Sequence, residues 1–522
     1  MSDTLTIQKI NEVWMKLSCS DAYMEMDLSD HFQFEVANAK FDPRVKYGQW
    51  DGIKRLFNRK TKRLYCGLLL ELLEFADKQG WQTVIDPLLM PNDDILEDED
   101  LEELISFINP HSDGEPIKLY DYQYAAVKHM LNMDRSTILA ATSAGKSLIS
   151  YSVARIYQLM DGMSDKTIFI TVPSKSLVEQ LYNDFVDYST YSGTNWSASN
   201  HVQKISGDYV KEVHMPIVIT TWQSMAKLPS WIYEDIGVII IDETHTASAA
   251  VIGNILETAI YTKHRHGMTG TLDESECNQL VIQGLLGPAK RIVTAKELMD
   301  QGRAAEIEVR MSVIDYPNDV KRELAQLKAN IPSKKRYLLE LETINANQYR
   351  RQFILSMIKS IPGNSLVLFE RVGDYGEELY EEYKKHHEHT FLMVGKIGAQ
   401  EREHIRTIME EHEDAVIFAS FGVAQAGMSI KKLHNMFTVS SSKSKVRVLQ
   451  SIGRMMRLHK SKSKGTIFDI VDDMSYDNQD NYSIKHAAER VRFYSEEQFT
   501  VKFDRYNISK FMNELSIDDF IS

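Results

Sequence analysis

The residues best suited to chemistry lie in the stretch Ala140–Ser147, AATSAGKS. Its tail has the form of a phosphate-binding loop, G-x-x-x-x-G-K-[ST], with Ala140 where the first glycine of that pattern stands. In such a loop the backbone N–H groups of Thr142, Ser143, Ala144 and Gly145 converge on an anion. The ammonium of Lys146 would reach β- and γ-phosphates, and the Ser147 hydroxyl would bind Mg2+. A side chain obstructs most beside the phosphates, where Gly145 is kept; Ala140 falls at a strand end, where a methyl group can be accommodated. Taken alone, the stretch also fits a chance strand, turn and helix.

That bland alternative weakens about a hundred residues downstream. IIIDETH places Asp242 and Glu243 directly after an apolar run. Asp242 would hold Mg2+ there, and Glu243 would polarise an attacking water. A third constellation, QSIGRMMR, repeats Gln450, Arg454 and Arg457 at spacings of four and three, which puts them on one face of a helix. Guanidinium groups reaching in from a second domain can stabilise charge developing on a transferring phosphoryl group. Two arginines alone would be read as a solvated basic face.

The elements that position these residues can be read from apolar runs. STILAA, TIFITV, PIVITTW and IGVIIIDE are rich in Ile, Val and Thr without alternation, the pattern of strands buried on both faces of a parallel sheet. After a charged connection the pattern restarts with NSLVLFE, TFLMVG, DAVIFAS, NMFTVSS and TIFDIVDD. Two tandem α/β parallel sheets follow. Ser136–Ala141 is predicted as a strand and Lys146–Tyr157 as a helix, so the loop lies between them.

The whole chain, 522 residues with 43% hydrophobic and 26% charged residues, is long for one core and has globular composition. No apolar run is long enough to cross a bilayer and the first residues lack a signal-peptide core, so the expectation is a cytoplasmic protein without a membrane partner. Cys19, Cys66 and Cys277 share no metal or disulfide spacing and are expected as reduced thiols. Net charge is −14, which argues against coating nucleic acid by overall charge but leaves room for a local basic track. Such a track exists: Lys40–Arg63 holds nine basic and two acidic residues, whereas Asp93–Glu103 holds eight acidic residues and no basic one. The second run is expected as a solvated linker.

In order and spacing, these motifs resemble those of superfamily-two helicases. LYDYQ resembles the adenine-recognition element, which implies Gln123 as adenine reader with Tyr120 beside it, where relatives often carry arginine. TVPSKSLVEQ and TTWQS resemble strand-contact motifs, implying nucleic-acid contacts at Lys175 and Thr221. MTGT resembles the segment that couples ATP state to strand movement, implying coupling roles for Thr269 and Thr271, with His245 of DETH. LVLFERV, FASFGVAQAGMSI and LQSIGRMMR resemble the remaining motifs, and imply Gly427 at the nucleotide and Lys443 and Lys445 on the strand. Ser429 departs from the pattern, since many relatives have aspartate there. FDPRVKYGQWDG, TSAGKSLI and SIGRMMRLH resemble, more narrowly, recombination helicases of tailed bacteriophages. The resemblance implies an ATP- and Mg2+-dependent motor on branched or single-stranded DNA and on R-loops with RNA–DNA hybrids, in the host-cell cytoplasm; the chain reads as a monomer-sized motor, with its oligomeric state left open.

The resulting layout is a small N-terminal α/β DNA-engaging domain at 1–90, an acidic linker at 91–110 and a first RecA-like domain at 111–300. A connection at 301–345, a second RecA-like domain at 346–475 and a helical extension at 476–522 follow. In the basic segment, Lys54, Arg55, Arg59 and Lys60 are expected to contact phosphates. Phe41, Tyr47, Trp50, Phe57 and Tyr65 are expected chiefly as small-domain core, though exposed rings could stack on bases. KKHHEHT, with His386, His387 and His389, is expected as a solvated helix end, because spacing places no acidic or cysteine partner beside it. An ATP-gated clamp or strand-annealing protein, and an RNA helicase, remain open at this point. Backbone contacts dominate such interfaces and a 2′-OH contact leaves no motif.

Overall fold

The computed structural model describes residues 3–36, 39–90, 95–207, 212–244, 249–270, 276–370, 375–395, 398–425, 430, 432–440, 452–453, 455–456 and 462–508. The chain divides into two units, Met1–Val293 and Thr294–Ser522.

In the first unit the unalternating apolar runs form strands of an all-parallel sheet. Its spatial order is Val202–Ile205, Ile217–Thr221, Thr167–Val172, Ile236–Asp242, His264–Thr269, Arg135–Ala140 and Ala289–Val293. The central runs are buried along nearly their whole length, as strands covered on both faces must be. A smaller sheet precedes it, ordered Arg63–Tyr65, Trp14–Cys19, Thr4–Lys9 and Gln82–Ile85, with antiparallel pairing at Trp14–Cys19 and parallel pairing at Gln82–Ile85. Strands and helices together make this an α/β domain, as the sequence implies.

The small domain and the parallel sheet share one apolar core. Leu5, Leu17, Leu64, Tyr65 and Leu72 belong to the same buried cluster as Ile255, Val281, Leu285 and Leu286. Polar contacts tie the seam: the Tyr65 hydroxyl donates to Glu257 at 2.6 Å, and Arg135 donates to Glu12 at 2.8 Å. Backbones approach so closely that a Cβ on Gly67 would lie 2.3 Å from the Gln283 carbonyl oxygen, and one on Gly284 would lie 2.7 Å from the Tyr65 ring.

The acidic run differs from the expected linker. Asp98–Ile108 is a helix with Leu101 and Ile108 buried, and Asp98 pairs with Lys128 at 2.9 Å. Its three acidic residues in the first turn complement the positive end of the helix dipole, so charge that reads as solvated also has a helical use.

The second unit has another seven-stranded parallel sheet, ordered Thr390–Met393, Val416–Ser420, Ser365–Phe369, Asn435–Thr438, Lys464–Asp473, Glu306–Asp315 and Thr500–Asn507. Two strands come from segments expected otherwise: Glu306–Asp315 from the connection, and Thr500–Asn507 from the helical extension, which also supplies the helix Tyr482–Glu496. The last strand lies at the sheet edge and is mostly exposed, so it lacks the apolar run that marks its neighbours.

Two buried aspartates inside this core are fully partnered. Arg490 holds Asp469 bidentately at 2.7 and 2.8 Å, and Tyr494 and Thr438 donate to the same carboxylate. Arg350 likewise holds Asp472, at 2.6 and 3.0 Å, with Tyr316 donating to it as well. Both arginines and both aspartates are buried. Removing one member of such a pair leaves a charge without compensation, at a cost of about 3–5 kcal/mol. Arg490→Met should therefore lose about that much stability in urea unfolding of the full chain. Arg490→Met combined with Asp469→Leu should recover most of it, and equal losses in the two variants would show that the charge pair is not what matters.

Candidate functional site

Three strands adjacent in the first sheet, Ile236–Asp242, His264–Thr269 and Arg135–Ala140, end at the same edge because all run parallel. The loops that follow them carry DETH, MTGT and the phosphate-loop sequence.

The phosphate-loop sequence leaves its strand at Ala140, and helix Lys146–Leu159 begins at once. Gly145 caps that helix at φ +76°, and a Cβ there would lie 2.3 Å from the Gln123 side-chain nitrogen. The position therefore requires glycine for backbone conformation and for space. Ala140 is completely buried in the strand, so its methyl group sits in core rather than in the loop. Ser143 adopts φ +73°, an uncommon conformation for a residue with a Cβ and of the kind that gathers at ligand-binding loops.

Gln123 is buried and both ends of its amide are engaged: it accepts from the Tyr120 N–H at 2.9 Å and donates to the Ala144 carbonyl at 2.9 Å. The residue implied as adenine reader thus also buttresses the loop that would hold phosphate. Tyr120 is half exposed, with its ring 5.7 Å from that of Tyr122.

Lys146 faces the acidic pair, its Nζ 3.2 Å from Glu243 Oε1. Burial opposes its charge, but Glu243 and Asp242 more than offset this and hold it in the ammonium form. Asp242 is pushed up to about 7, first by burial and then by repulsion from Glu243, with Lys146 opposing. A carboxylate kept this reluctant to ionise beside a second carboxylate is a place where a dication fits. Asp242 and the Ser147 hydroxyl are the oxygen donors that a hard cation such as Mg2+ prefers. Glu243 itself has φ +53°, and its backbone N–H donates to Asp242 Oδ1 at 3.0 Å.

Met268–Gly270 lie against the same loop. A Cβ on Gly270 would be 3.4 Å from Thr142 Oγ1, and the Thr244 N–H donates to the Met268 carbonyl at 3.3 Å. Thr269 is buried at the strand end beside Leu139. Structure thus joins Gln123, Thr142, Ser143, Ala144, Gly145, Lys146, Asp242, Glu243 and Thr269 around one sheet edge. His245, Thr271, Gly427, Ser429, Lys443, Lys445, Gln450, Arg454 and Arg457 lie outside the described residues.

Other expected contact residues divide. Lys175 is exposed at the first turn of helix Lys175–Thr190, with Gly207 packed against its ammonium end. Thr221 is buried, and its hydroxyl accepts from the Ser224 N–H, so its side chain builds the turn rather than facing outward. Lys54, Arg55, Arg59 and Lys60 are exposed. Arg59 and Lys60 occupy a hairpin tip closed by Asn58, whose Oδ1 accepts from the N–H groups of Lys60 and Thr61. Of the five aromatic residues expected chiefly as core, Phe57 and Tyr65 are buried, while Tyr47 is 79% and Phe41 53% exposed. Trp50 is held by its own bond to the Ile53 carbonyl and by Arg44 over its ring. The basic segment therefore presents two exposed rings, that of Phe41 with the Lys40 ammonium 5.4 Å over it, which alternating sequence could not distinguish from core.

Two parallel sheets and a phosphate loop are the equipment of ATP-dependent DNA helicases, and the comparisons with known proteins bear that class out for this chain. Residues 116–274 match the family model "Type III restriction enzyme, res subunit", and residues 8–86 match "DNA helicase UvsW, N-terminal". The chain is similar to the ATP-dependent DNA helicase uvsW of Enterobacteria phage T4, 28% identical over 95% of this chain and 98% of the relative. A crystal structure of T4 UvsW agrees over 97% of this chain and all of that one, at 27% identity and a TM-score of 0.51. A DNA-bound Type ISP restriction-modification enzyme, LlaBIII, shares the fold at 15% identity, over 75% of this chain and 32% of that one, with a TM-score of 0.54. No helix among the described residues is long and apolar enough to cross a membrane.

The raised Asp242 has a stability consequence. Unfolded aspartate gives up its proton near pH 3.9, about, but the folded group keeps it to about pH 7. The ligand-free fold thus carries a cost that is absent below about pH 4 and grows as pH rises to about 7. Asp242→Asn should remove it: relative to the parent, the variant's melting temperature should rise at pH 8 and match more closely at pH 4. Thermal melts of both proteins across this range test the sign, and a variant less stable than the parent at pH 8 would contradict it.

Proposed function

We propose that this protein is a monomeric, ATP-driven motor that acts on DNA and remodels branched intermediates, namely forks, four-way junctions and R-loops with their RNA–DNA hybrids, during recombination, repair and replication in the host-cell cytoplasm. What carries the reading is a likeness to T4 UvsW that spans both chains almost completely, small N-terminal domain included. The exposed basic hairpin, built on the same core as strand Ile236–Asp242, supports it.

In this reading the backbone of Thr142–Gly145 cradles the phosphates of ATP, Gln123 and Tyr120 hold the base, and Ser147 and Asp242 hold Mg2+. The cation would supply neutralisation of phosphate charge. Lys146 exchanges its pairing with Glu243 for the β- and γ-phosphates, and Glu243, released, takes the proton of the attacking water. Gly427 belongs to the nucleotide site, and Gln450, Arg454 and Arg457 stabilise charge on the transferring group. His245, Thr269 and Thr271 couple hydrolysis to strand movement. Lys175, the turn after Thr221, Lys443 and Lys445 contact the strand backbone, and Lys54, Arg55, Arg59 and Lys60 select where the motor engages.

The deciding experiment measures ATPase activity against single-stranded DNA, forked DNA, a four-way junction and RNA, with strand displacement followed in parallel. A motor on branched DNA hydrolyses ATP and displaces strands on the DNA forms. Annealing without ATP-dependent displacement would identify a clamp, and stimulation by RNA alone an RNA helicase.

Glu243→Gln should bind ATP near normally while turnover falls by about 100-fold or more, because water activation is lost and the cradle is kept. Lys146→Ala should lose binding as well. Nucleotide titrations beside steady-state rates separate the two, and near-normal turnover by Glu243→Gln would overturn its role.

Reversing charge at Lys54, Arg55, Arg59 and Lys60 together should weaken fork and junction binding and flatten its dependence on salt, by up to roughly 0.9 in log–log slope per lost phosphate contact. ATPase on long single strands should stay within about twofold, since these contacts lie apart from the nucleotide loop. Binding isotherms at several salt concentrations provide the check, and an unchanged slope would remove this segment from the interface.

A further inference from the structure

The histidine-rich stretch expected as a solvated helix end has partners that linear spacing does not reveal. His389 immediately precedes strand Thr390–Met393, and Asp414 lies two residues before strand Val416–Ser420. These strands pair in parallel, Thr390 opposite Val416, and the Val416 N–H donates to the His389 carbonyl at 2.9 Å. The pairing brings two short patterns, His387-x-His389 and His412-x-Asp414, to the same place.

At that place His389 Nδ1 lies 3.1 Å from Asp414 Oδ1, and the His389 and His412 ring centroids are 3.8 Å apart. One ligand atom from each of His389, His412 and Asp414 falls within 4.8 Å of the others. His387 Nε2 stands 3.6 Å from the other Asp414 oxygen. In a tetrahedral zinc site, ligand atoms bound at ordinary Zn–N and Zn–O lengths lie roughly 3.3 Å apart. Small side-chain rotations would close the difference.

The second pattern is held from behind by Asn364, which is fully buried. Its side chain accepts from the Ala415 N–H at 2.9 Å and donates to the carbonyls of His412 at 2.9 Å and Met409 at 2.6 Å. The backbone on both sides of Asp414 is therefore fixed, and the first pattern is fixed by the strand ladder. A Thr390 hydroxyl beside His387 Nδ1, at 3.4 Å, and the Tyr383 ring stacked on His387 orient the remaining imidazole.

We propose that His389, His412 and Asp414 form a binding site for a first-row transition-metal dication, Zn2+ in particular, with His387 in reach as a fourth ligand. Two imidazoles and one carboxylate suit zinc and its neighbours and suit Mg2+ poorly. The cluster lies at the edge where these parallel strands begin, a strand length from the edge where they end and the sequence motifs follow. The ion would act as a clip joining the edge strand Thr390–Met393 to its neighbour, a structural role separate from ATP hydrolysis.

The test uses the tag-free full chain, stripped with chelator and kept in excess Mg2+ so that the nucleotide site does not compete. Co2+ titration followed by visible absorption should show one saturable, tetrahedral-type site, displaced by one equivalent of Zn2+. His389→Ala, His412→Gln and Asp414→Asn should each weaken it by about 100-fold or more, with DNA-stimulated ATPase changed less than twofold. In the unaltered protein, Zn2+ should also protect His389 and His412 from diethylpyrocarbonate, as read by mass spectrometry, which needs no variant to fold. Absence of a saturable site, variants that bind as the parent does, or histidines modified equally with and without Zn2+ would overturn the proposal.

Discussion

An ammonium group facing two adjacent carboxylates, in a site largely withdrawn from water, is the interaction around which the first unit is organised. Charges placed there are expensive unless they answer one another, and Lys146, Asp242 and Glu243 do so only in part: Asp242 is pushed far above the ordinary carboxylate range, to about 7. The arrangement can be sustained because neighbouring parallel strands deliver the groups to one edge from sequence positions about a hundred residues apart. Gln123 then fixes the loop from below, and Gly145 permits it to come that close. What remains is a cluster whose charges are better balanced by a polyphosphate and a cation than by one another.

The second unit resolves buried charge differently. Asp469 and Asp472 interrupt an otherwise apolar strand, yet each is held by a bidentate arginine and a tyrosine. The contrast between the units is instructive: a carboxylate that has two donors locked onto it organises a core, whereas one that has a like charge for a neighbour waits for a partner.

Much of this was legible because buried parallel strands write themselves as unbroken apolar runs. TIFITV became Thr167–Val172, and NSLVLFE and DAVIFAS became Ser365–Phe369 and Val416–Ser420. The loop, the acidic pair and the helix from Lys146 were equally plain, since they depend on residues close in sequence. TFLMVG also marked the edge strand Thr390–Met393, but the other edge strands left no such run. Val202–Ile205 is short, Ala289–Val293 is largely exposed, and Thr500–Asn507 carries charged residues on an open face, so none shows the expected run. The side-chain role of Thr221 was missed for another reason: a hydroxyl at a strand end reads the same whether it caps the next turn or faces a ligand. Nor could spacing join His389 to Asp414, since strand pairing alone makes them neighbours.

The continuous core beneath the small N-terminal domain bears on how such a chain can change over evolutionary time. Where modules meet through a linker, recombination can exchange one for another and leave both intact. Here Tyr65 fills the space that Gly284 leaves, and Gly67 admits the backbone at Gln283, so each side is the mould of the other. A foreign domain would need to bring a matching glycine, a matching ring and a partner for Glu257 at once. The pairing of this domain with this sheet should therefore be inherited as a block, its two halves drifting in concert rather than being shuffled.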